Sequence, residues 1–341
     1  MGLYVGLDVG LKVTSICVID GAGELVWRGK ETSRPEAIAR VLAPFGGDLV
    51  KVGLESGSLS PYLCWGLADL GLPVVCLDAR RAADAIRSRR IKTDEGDARA
   101  LAEMLRTGWY TAVHVKSAAS HRVKALLGAR DQLVRSKRAV GNQIRGILRP
   151  FGIRLPARQG TKRFAAAVEE AVAEDAILRV AVEALLAALV AIESEVARLD
   201  EEVRMLAGRS PVCWRLMSIP GVGPITALAF VSAIDDIERF SRARDVGAYL
   251  GLTPRRYQSG EVDVGLGISR QGDAMARHYL YEAANVLLTT VRRRSALKSW
   301  GLAVLKRRGP KRARVAVARK LACLMARLWR AAAHFEAQPA G

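Results

Sequence analysis

The sequence has few of the side chains from which metal-bound or disulfide-linked domains are built. Its five cysteines are scattered through apolar runs, odd in number and never spaced as a CxxC pair: Cys17, Cys64, Cys76, Cys213 and Cys323. Structural zinc sites and disulfide frameworks both need cysteines in regular patterns. The cysteine content therefore argues against both.

Membrane-associated segments are also absent. No apolar run reaches the roughly 20 residues that span a bilayer, and no segment has the Trp- and Phe-rich apolar face that is typical of interfacial helices. The first residues are typical of a β-strand and not of a signal peptide. We therefore expect a cytoplasmic protein.

Acidic residues are scarce relative to basic ones. The chain has 34 Asp and Glu against 53 Lys and Arg, which gives a formal net charge of +19. Residues 291–330 contain 14 basic residues and no acidic one, with apolar residues interspersed as in a folded helix. Such an excess indicates a polyanionic partner, because basic side chains release counterions from a phosphate backbone. Nucleic acid is the expected partner, and the nucleoid the expected location.

Three domains are predicted: 1–115, 116–210 and 211–341. The first is an α/β domain, because short β-type runs alternate with helical ones. The strands are expected at 3–20 (one strand or a broken pair), 24–29, 49–54 and 73–77, with a turn at 21–23 and a helix at 95–106. The third is expected to be mainly helical.

Residues 116–210 show the spacing of a coiled coil. Apolar residues follow one another at intervals of four and three: Leu178, Val182, Leu185, Leu189, Ile192, Val196, Leu199, Val203 and Leu206. A second, more basic helix repeats Leu126, Leu133, Val140 and Ile147 every seven residues. Four heptads of this kind specify a helix–helix seam. The two helices can pair as a hairpin or with another protomer, and the sequence does not choose between these. A coiled coil of this length argues against a monomer, so a homo-oligomer, a dimer or tetramer, is expected.

A Pro-Gly-x-Gly turn opens the third domain. Residues 220–223 precede an apolar helix, as in a helix-hairpin-helix motif. Gly221 and Gly223 would let backbone N–H groups approach a phosphate at the helix N-terminus. The alternative is an ordinary helix start, since many helices begin after glycines.

Four carboxylates stand where strands end or a helix begins. Asp8 lies in an apolar first strand, Glu55 ends another strand, and Asp94 and Asp97 share one face of a helix start. Crowded carboxylates repel one another unless a cation neutralises them, and Mg²⁺ (or Mn²⁺) suits an all-oxygen site that acts on phosphate. The structural alternative is that Asp94 caps the helix and Asp97 complements its dipole. An actin-like ATPase or sugar kinase also begins with such a strand, but no second Asp-Gly phosphate loop is found downstream.

These residues resemble a known family. Asp8, Glu55 and Lys92-Thr93-Asp94-x-x-Asp97-Ala98 resemble the DEDD motif of the RuvC-like domain in bacterial insertion-sequence transposases related to the Piv invertases. Residues 219–223 and 251–260 resemble the C-terminal transposase domain of the same family. No single motif is specific, but the combination and its order are. Residues 56–62 depart from the commoner Thr-Gly-x-Tyr form after the catalytic Glu.

The resemblance implies a fold, a chemistry and partners. The first domain would have an RNase H-like fold, and Asp8, Glu55, Asp94 and Asp97 would hold Mg²⁺. Ser259 would attack a DNA phosphodiester and form a phosphoserine link. The two catalytic parts would come from different protomers of an oligomer, and a noncoding bridge RNA would guide the enzyme.

Ser259 by itself is a weak signal. A Ser-Gly pair between polar residues is usually a turn, and a serine hydroxyl needs a base or a metal to become a nucleophile. None of the four histidines lies near it in sequence. Arg255 and Arg256, in the same loop, could clamp the scissile phosphate or make generic backbone contacts. Further nucleic-acid contacts are expected from five basic residues: Lys306, Arg307, Arg308, Lys311 and Arg312.

Two alternatives to a transposase stay open. A RuvC-like structure-specific endonuclease would cleave with a metal-activated water, and Ser259 would then be structural. A non-catalytic nucleic-acid-binding protein would use its acids only for folding. Of the three, only the transposase forms a covalent protein–DNA intermediate. The transposase and the endonuclease both cleave DNA with Mg²⁺, whereas the binding protein does not.

Overall fold

The computed structural model of the chain describes residues 2–80, 94–155, 160–259 and 262–336. These residues form two compact units, Met1–Ala118 and Ala119–Gly341. The division of the second unit at residue 210 stays a prediction. Among the described helices, none is long and apolar enough to cross a membrane.

The first unit contains a five-stranded mixed sheet. The strands are β1 (Leu3–Val9), β2 (Val13–Ile19), β3 (Leu25–Thr32), β4 (Leu49–Glu55) and β5 (Val74–Leu77). Their order is β3-β2-β1-β4-β5, with β1, β2 and β3 antiparallel and β1, β4 and β5 parallel. The predicted segment 3–20 is therefore a broken pair. The α/β class is confirmed, and the mixed sheet fits the RNase H-like fold that the resemblance implies.

Helices cover both faces of this sheet. They are α1 (Pro35–Leu42), α2 (Ser60–Asp69) and α3 (Asp94–Thr107), with a short 3-10 helix at Ala43–Asp48. Val5 and Leu7 of β1 pack with Ile38 and Leu63 of α1 and α2 on one face. On the other face, α3 lies so close to β1 that a Cβ added at Gly6 would be 1.9 Å from the Ala98 carbonyl oxygen. Glycine at position 6 is thus what allows α3 to pack directly on the strand.

The second unit is mostly helical and begins with a long helical arm. Its helices are α4 (Ala118–Leu148), α5 (Thr161–Ala171) and α6 (Ala176–Arg209), with a 3-10 turn at Arg149–Phe151. Helices α4 and α6 pair with each other and run antiparallel: Arg130 forms an ion pair with Asp200, and Lys137 Nζ lies 2.7 Å from Glu193 Oε1. Within this chain the two predicted seams therefore form a hairpin.

The buried positions of the arm differ in part from the predicted seams. In α6, Leu186 and Ala207 are buried, whereas the predicted Leu185 and Leu206 are half-buried. A straight helix turns every 3.6 residues, so a 3.5-residue repeat drifts out of register with the partner helix. At the middle of the arm Ile192 and Val196 are only half-buried, because the hydrophobic clusters lie toward its two ends.

The rest of the unit is built around an apolar helix. Its elements are α7 (Pro211–Met217), α8 (Pro224–Ile234), α9 (Ala243–Tyr249), β6 (Pro254–Ser259), β7 (Val262–Ile268), α10 (Ala274–Thr289) and α11 (Ala296–Arg330). Eight of the eleven residues of α8 are buried, among them Phe230, which is fully buried. Helix α8 contacts α6, α7 and α10, while α9 and α10 contact α11. The described part of this region also contains one feature that the helical prediction missed, the two-stranded hairpin β6–β7.

Helix α11 is two helical segments folded back on each other. The reversal occurs at Gly309, whose φ of 77° and ψ of 169° are not helical. A Cβ added at Gly301 would lie 2.8 Å from Val317 Cγ2, a contact that a straight helix could not make. Gly309 supplies the left-handed conformation that often ends a helix, and Pro310 is suited to the first turn of the next.

Candidate nuclease and recombinase sites

Strand register brings Asp8 and Glu55 side by side. Leu7 pairs with Leu54 across the parallel strands β1 and β4, so the next residue of each strand is a carboxylate. Both lie two residues after glycines that face α3, Gly6 and Gly53. Because side chains alternate along a strand, both carboxylates face the α3 side of the sheet. Neighbouring strands are about 4.8 Å apart, so the two carboxylates share one edge of the sheet.

The remaining two acids lie in the first turn of α3. Asp97 directly precedes Ala98, the residue whose backbone rests on Gly6, and is half-buried. Asp94 is exposed, and its Oδ2 lies 3.8 Å from Lys30 Nζ on β3. Acidic residues in the first turn also complement the positive end of the helix dipole. Asp97 is therefore placed beside the Asp8–Glu55 edge, whereas Asp94 is directed toward a surface lysine.

The four acids do not form a closed metal-binding cluster. Among the described residues, no group of three or more His, Cys, Asp or Glu side chains lies close enough together to hold an ion. The chemistry of the donor set nevertheless fits a divalent metal, because two half-buried carboxylates stand at adjacent ladder positions and a third follows in the helix above them. Mutual repulsion keeps such carboxylates apart until a cation neutralises it.

One row of polar side chains extends from this pair across the sheet. Asp8 pairs with Ser15 of β2, and Ser15 pairs with Lys30 of β3. Ser15 is buried and Lys30 reaches Asp94. Sequence reasoning missed both residues, because their alignment with Asp8 depends on the register in which β1, β2 and β3 pair.

Ser259 is the last residue of β6 and not part of a loop. It pairs with Val262 of β7 across a two-residue connection, residues 260 and 261, that lies outside the described residues. Arg255 and Arg256 lie in the same strand, and the side chain of Arg255 is exposed. The motif is therefore a β-hairpin with its serine at the tip. Lys92 and Thr93 of the DEDD motif also lie outside the described residues.

The Pro-Gly-x-Gly turn has two glycines with different surroundings. Gly221 has a φ of 93°, and a Cβ there would lie 2.7 Å from the Ala283 carbonyl oxygen of α10. Packing against α10 thus explains this glycine. Gly223 precedes α8 without a side-chain cap, and no described atom would lie within 4 Å of a Cβ added to it.

The reversal of α11 gathers basic side chains at one exposed tip. The five predicted nucleic-acid contacts all flank Gly309 and are exposed: Lys306, Arg307, Arg308, Lys311 and Arg312. Being presented from both segments of the hairpin, they form a compact positive patch, which we call the basic tip. The sequence predicted the charge of this region but not the fold-back that concentrates it.

A partly buried polar network joins the arm to the C-terminal helices. The Tyr279 hydroxyl of α10 donates a hydrogen bond to Asp131 of α4, and Arg130 Nη1 donates to the Tyr279 oxygen at 3.3 Å. Burial, with the Asp131 hydrogen bond, raises the pKa of Tyr279 to about 12. Lys124 Nζ lies 2.6 Å from Asp273, the residue that caps α10. These contacts stabilise the base of the arm.

A cavity beside the serine hairpin was not predicted. It has a volume of about 680 Å³ and lies between the base of β6–β7 and the second segment of α11. Its lining combines apolar residues such as Leu252 and Val315 with five basic side chains: Arg270, Lys311, Arg312, Arg319 and Lys320. The signal in the sequence was the aromatic residue Trp300 within the basic stretch 291–330.

Comparison with known proteins gives two family matches. Residues 5–152 match the DEDD transposase model of IS110 elements, and residues 213–299 match the transposase model of the IS116/IS110/IS902 family. The first range contains Asp8, Glu55, Asp94 and Asp97, and the second contains Ser259. Divalent-metal use follows from the first match.

Whole-length relatives agree with these models. The transposase for insertion sequence element IS1111A of Coxiella burnetii is 31% identical over 321 residues, which cover 92% of this chain and 86% of that protein. A probable family 20 transposase of Pseudomonas aeruginosa is 27% identical and covers 94% and 95%. The transposase for IS1328 of Yersinia enterocolitica is 28% identical and covers 80% and 81%. The chain therefore belongs to the IS110/IS116 family of DEDD insertion-sequence transposases and is a DNA-recombining enzyme.

Proposed function

We propose that this transposase cleaves and exchanges DNA strands at the ends of a mobile element through a phosphoserine intermediate on Ser259, in a Mg²⁺-dependent reaction. One observation carries the proposal: the register of β1 and β4 sets Asp8 beside Glu55, on the side of the sheet where α3 supplies Asp97. A fold alone needs no such pair, because adjacent like charges are destabilising.

The four acids and the serine have separate tasks. Asp8, Glu55 and Asp97 would hold Mg²⁺ (or Mn²⁺), and Asp94 would join them by leaving Lys30. Bound there, the ion would stabilise charge on phosphate oxygens. The Ser259 Oγ would bond to phosphorus while its hydroxyl proton passes to water. The phosphorus–oxygen bond to the sugar would break, and the leaving sugar oxygen would take up a proton from water. The DNA end stays joined to the enzyme, so the bond energy is kept for the exchange step.

Basic groups would hold DNA around the serine. Arg255 and Arg256 share the strand with Ser259 and would contact the phosphate that is cleaved. The basic tip and the N-terminus of α8 at Gly223 would bind phosphates farther along the duplex, with Gly221 keeping the turn in place.

We further propose a homo-oligomer, with the acids of one protomer acting on DNA bound to the serine of another. The first half of α6 supports this: Ile177, Val180 and Val190 are exposed by 83%, 68% and 54%, with alanines between them. Apolar faces of this kind mark protein contacts. A bridge RNA as guide and a nucleoid location in the cytoplasm belong to the same proposal, the former on the strength of family resemblance.

The test is covalent attachment. Purified protein is incubated with element-end DNA, the flanking noncoding RNA and Mg²⁺, and adducts are resolved on a denaturing gel. We expect an adduct with the unaltered chain and with Ser299→Ala, a control at an exposed serine of α11. The adduct is expected to disappear in Ser259→Ala and Asp97→Ala, while DNA binding is retained.

Two other outcomes would replace the proposal. Free cleaved DNA without an adduct would establish a RuvC-like endonuclease that uses a metal-activated water. Binding with no Mg²⁺-dependent cleavage, under conditions that support transposition by a related enzyme, would leave a nucleic-acid-binding protein whose acids are structural.

A further inference from the structure

The cavity beside the serine hairpin combines a basic rim with an apolar floor. Among its described lining residues five are basic and none is acidic. Arg312, Arg319 and Lys320 project from one helical segment of α11, and Arg270 follows β7. The floor is formed by Leu252, Ile268, Val315 and Ala316. Phosphate groups would pair with the basic rim, but the apolar floor would add nothing to the binding of phosphates alone.

An aromatic ring lies at the same place. Trp300, from the first segment of α11, lines the cavity, and Lys320 Nζ lies 3.8 Å from the centroid of its ring. An ammonium group over an indole is attracted to the face of the ring. The fold-back of α11 is what brings Trp300 and Lys320 together, since they are 20 residues apart in sequence.

The combination distinguishes an unpaired strand from a duplex. In a duplex the bases are stacked inside the helix and phosphates face the protein. An unpaired strand offers the flat faces of its bases as well, and these stack on aromatic side chains while basic residues follow the backbone. A volume of about 680 Å³ lies within the range of sites that enclose small ligands, and it exceeds what a phosphate group needs.

We propose that this cavity binds a nucleotide of an unpaired nucleic-acid strand. Its base packs against Trp300 and the apolar floor, and its phosphates pair with Arg312, Arg319 and Lys320. Pro254, the first residue of β6, lines the cavity. The bound nucleic acid therefore lies next to the β-strand that carries Ser259. The inference rests on the proposed function only in taking nucleic acid as the substrate class.

The experiment measures binding in EDTA, so that cleavage plays no part. Fluorescein-labelled 20-mers of one sequence are used as single-stranded DNA, single-stranded RNA and duplex DNA, and titrated with the full chain by fluorescence anisotropy. Arg319→Gln/Lys320→Gln is compared with Arg293→Gln/Arg294→Gln, which removes the same charge from exposed side chains outside the cavity. Circular dichroism establishes that both are folded.

We expect the cavity variant to weaken single-strand binding on the order of tenfold more than duplex binding, whereas the control weakens both about equally. Whichever of single-stranded DNA and single-stranded RNA binds more tightly identifies the kind of strand that the cavity accepts. Equal losses on single strand and duplex in the cavity variant would overturn the proposal, because α11 would then be a general phosphate-binding surface.

A second measurement does not depend on substitution. Single strands that carry 5-iodouracil are irradiated in the complex, and the crosslinked peptide is identified by mass spectrometry. A base stacked on Trp300 places the crosslink at that residue. Crosslinks confined to residues outside the cavity would overturn the proposal even if the strand binds, and covalent attachment through Ser259 is neither needed nor tested.

Discussion

Asp8 and Glu55 occupy adjacent positions on the parallel strands β1 and β4, one residue beyond the paired Leu7 and Leu54. Their side chains leave the same face of the sheet, the one covered by α3. The sequence separates them by 47 residues, and only the register of the parallel ladder makes them neighbours. Two carboxylates brought this close repel each other unless a cation neutralises them.

A divalent metal is expected to stabilise the first unit. At saturating Mg²⁺ or Mn²⁺ the unfolding temperature of the unaltered chain rises, since a ligand that binds only the folded state stabilises it by about 2.7 kcal/mol at 100 times its Kd. In Asp8→Asn/Glu55→Gln the rise disappears. Differential scanning fluorimetry with and without metal measures it.

The control for this prediction is Asp69→Asn, an exposed acid at the end of α2. It is expected to keep the full metal-dependent rise. An equal rise in the double variant would show that the metal binds elsewhere and would remove Asp8 and Glu55 from the site.

Gly6→Ala is expected to separate α3 from the sheet. The new methyl group would overlap the Ala98 carbonyl oxygen and lie 2.6 Å from the Ala102 nitrogen, both backbone atoms. Overpacking of this kind costs about 1–3 kcal/mol. It also displaces Asp97 from Asp8. Adduct formation should therefore fall further than the loss of folded protein alone would explain. Gly46→Ala, where no described atom would lie within 4 Å of the added carbon, should change neither quantity in urea unfolding or the adduct assay.

Removing charge from the basic tip is expected to weaken duplex binding in a salt-dependent way. Arg307→Gln/Arg308→Gln should lower the slope of log K against log salt concentration by about 0.9 for each DNA phosphate that the protein no longer neutralises. Arg40→Gln/Arg163→Gln removes two exposed arginines elsewhere and should leave the slope unchanged. An unchanged slope in the tip variant would mean that the tip does not touch DNA.

Tyr279→Phe is expected to destabilise the second unit by about 1–2 kcal/mol at neutral pH, because the half-buried Asp131 and Arg130 lose a hydrogen-bonding partner. Burial and Asp131 raise the pKa of Tyr279 from 10.0 to about 12 in the folded chain. A raised pKa favours the neutral phenol, so its contribution is complete below pH 10 and is lost as pH rises through 12.

The measurement for Tyr279 is urea unfolding of both proteins between pH 7 and pH 12. The difference in the free energy of unfolding should shrink above pH 10. A difference that stays constant over that range would show that the hydroxyl does not ionise in linkage with folding, and would contradict the role assigned to the Asp131 hydrogen bond.

Local pattern predicted much of the first unit. The apolar runs at 3–20, 49–54 and 73–77 form strands. Alternating apolar residues suit a strand with one buried face, and continuous apolar residues suit a strand that is buried on both faces. The described helix α3, Asp94–Thr107, contains the predicted helix 95–106. The row from Glu55 to Lys30 was not predictable from the spacing of acids alone, because it depends on which strands pair and in which register.

The second unit was harder to predict, for physical reasons that its residues show. Alternating apolar and glycine residues at 262–268 were overlooked among helices, although they form β7. Residues 296–330 have helical composition throughout, so the reversal at Gly309 depends on one backbone conformation. The spacing left open whether the two arm helices pair with each other or with another protomer. The ion pairs of Arg130 and Lys137 with α6 show that they pair with each other within the chain.

The fold-back of α11 makes the length of the exposed hairpin independent of the packing of the core. The ends of its segments pack on the core, but no described atom would lie within 4 Å of a Cβ at Gly309. Whole helical turns can therefore be added at the tip without repacking the interior, as exposed tips generally tolerate. Related mobile elements could thus vary the reach of this hairpin along nucleic acid during evolution while keeping the serine hairpin and the carboxylates unchanged.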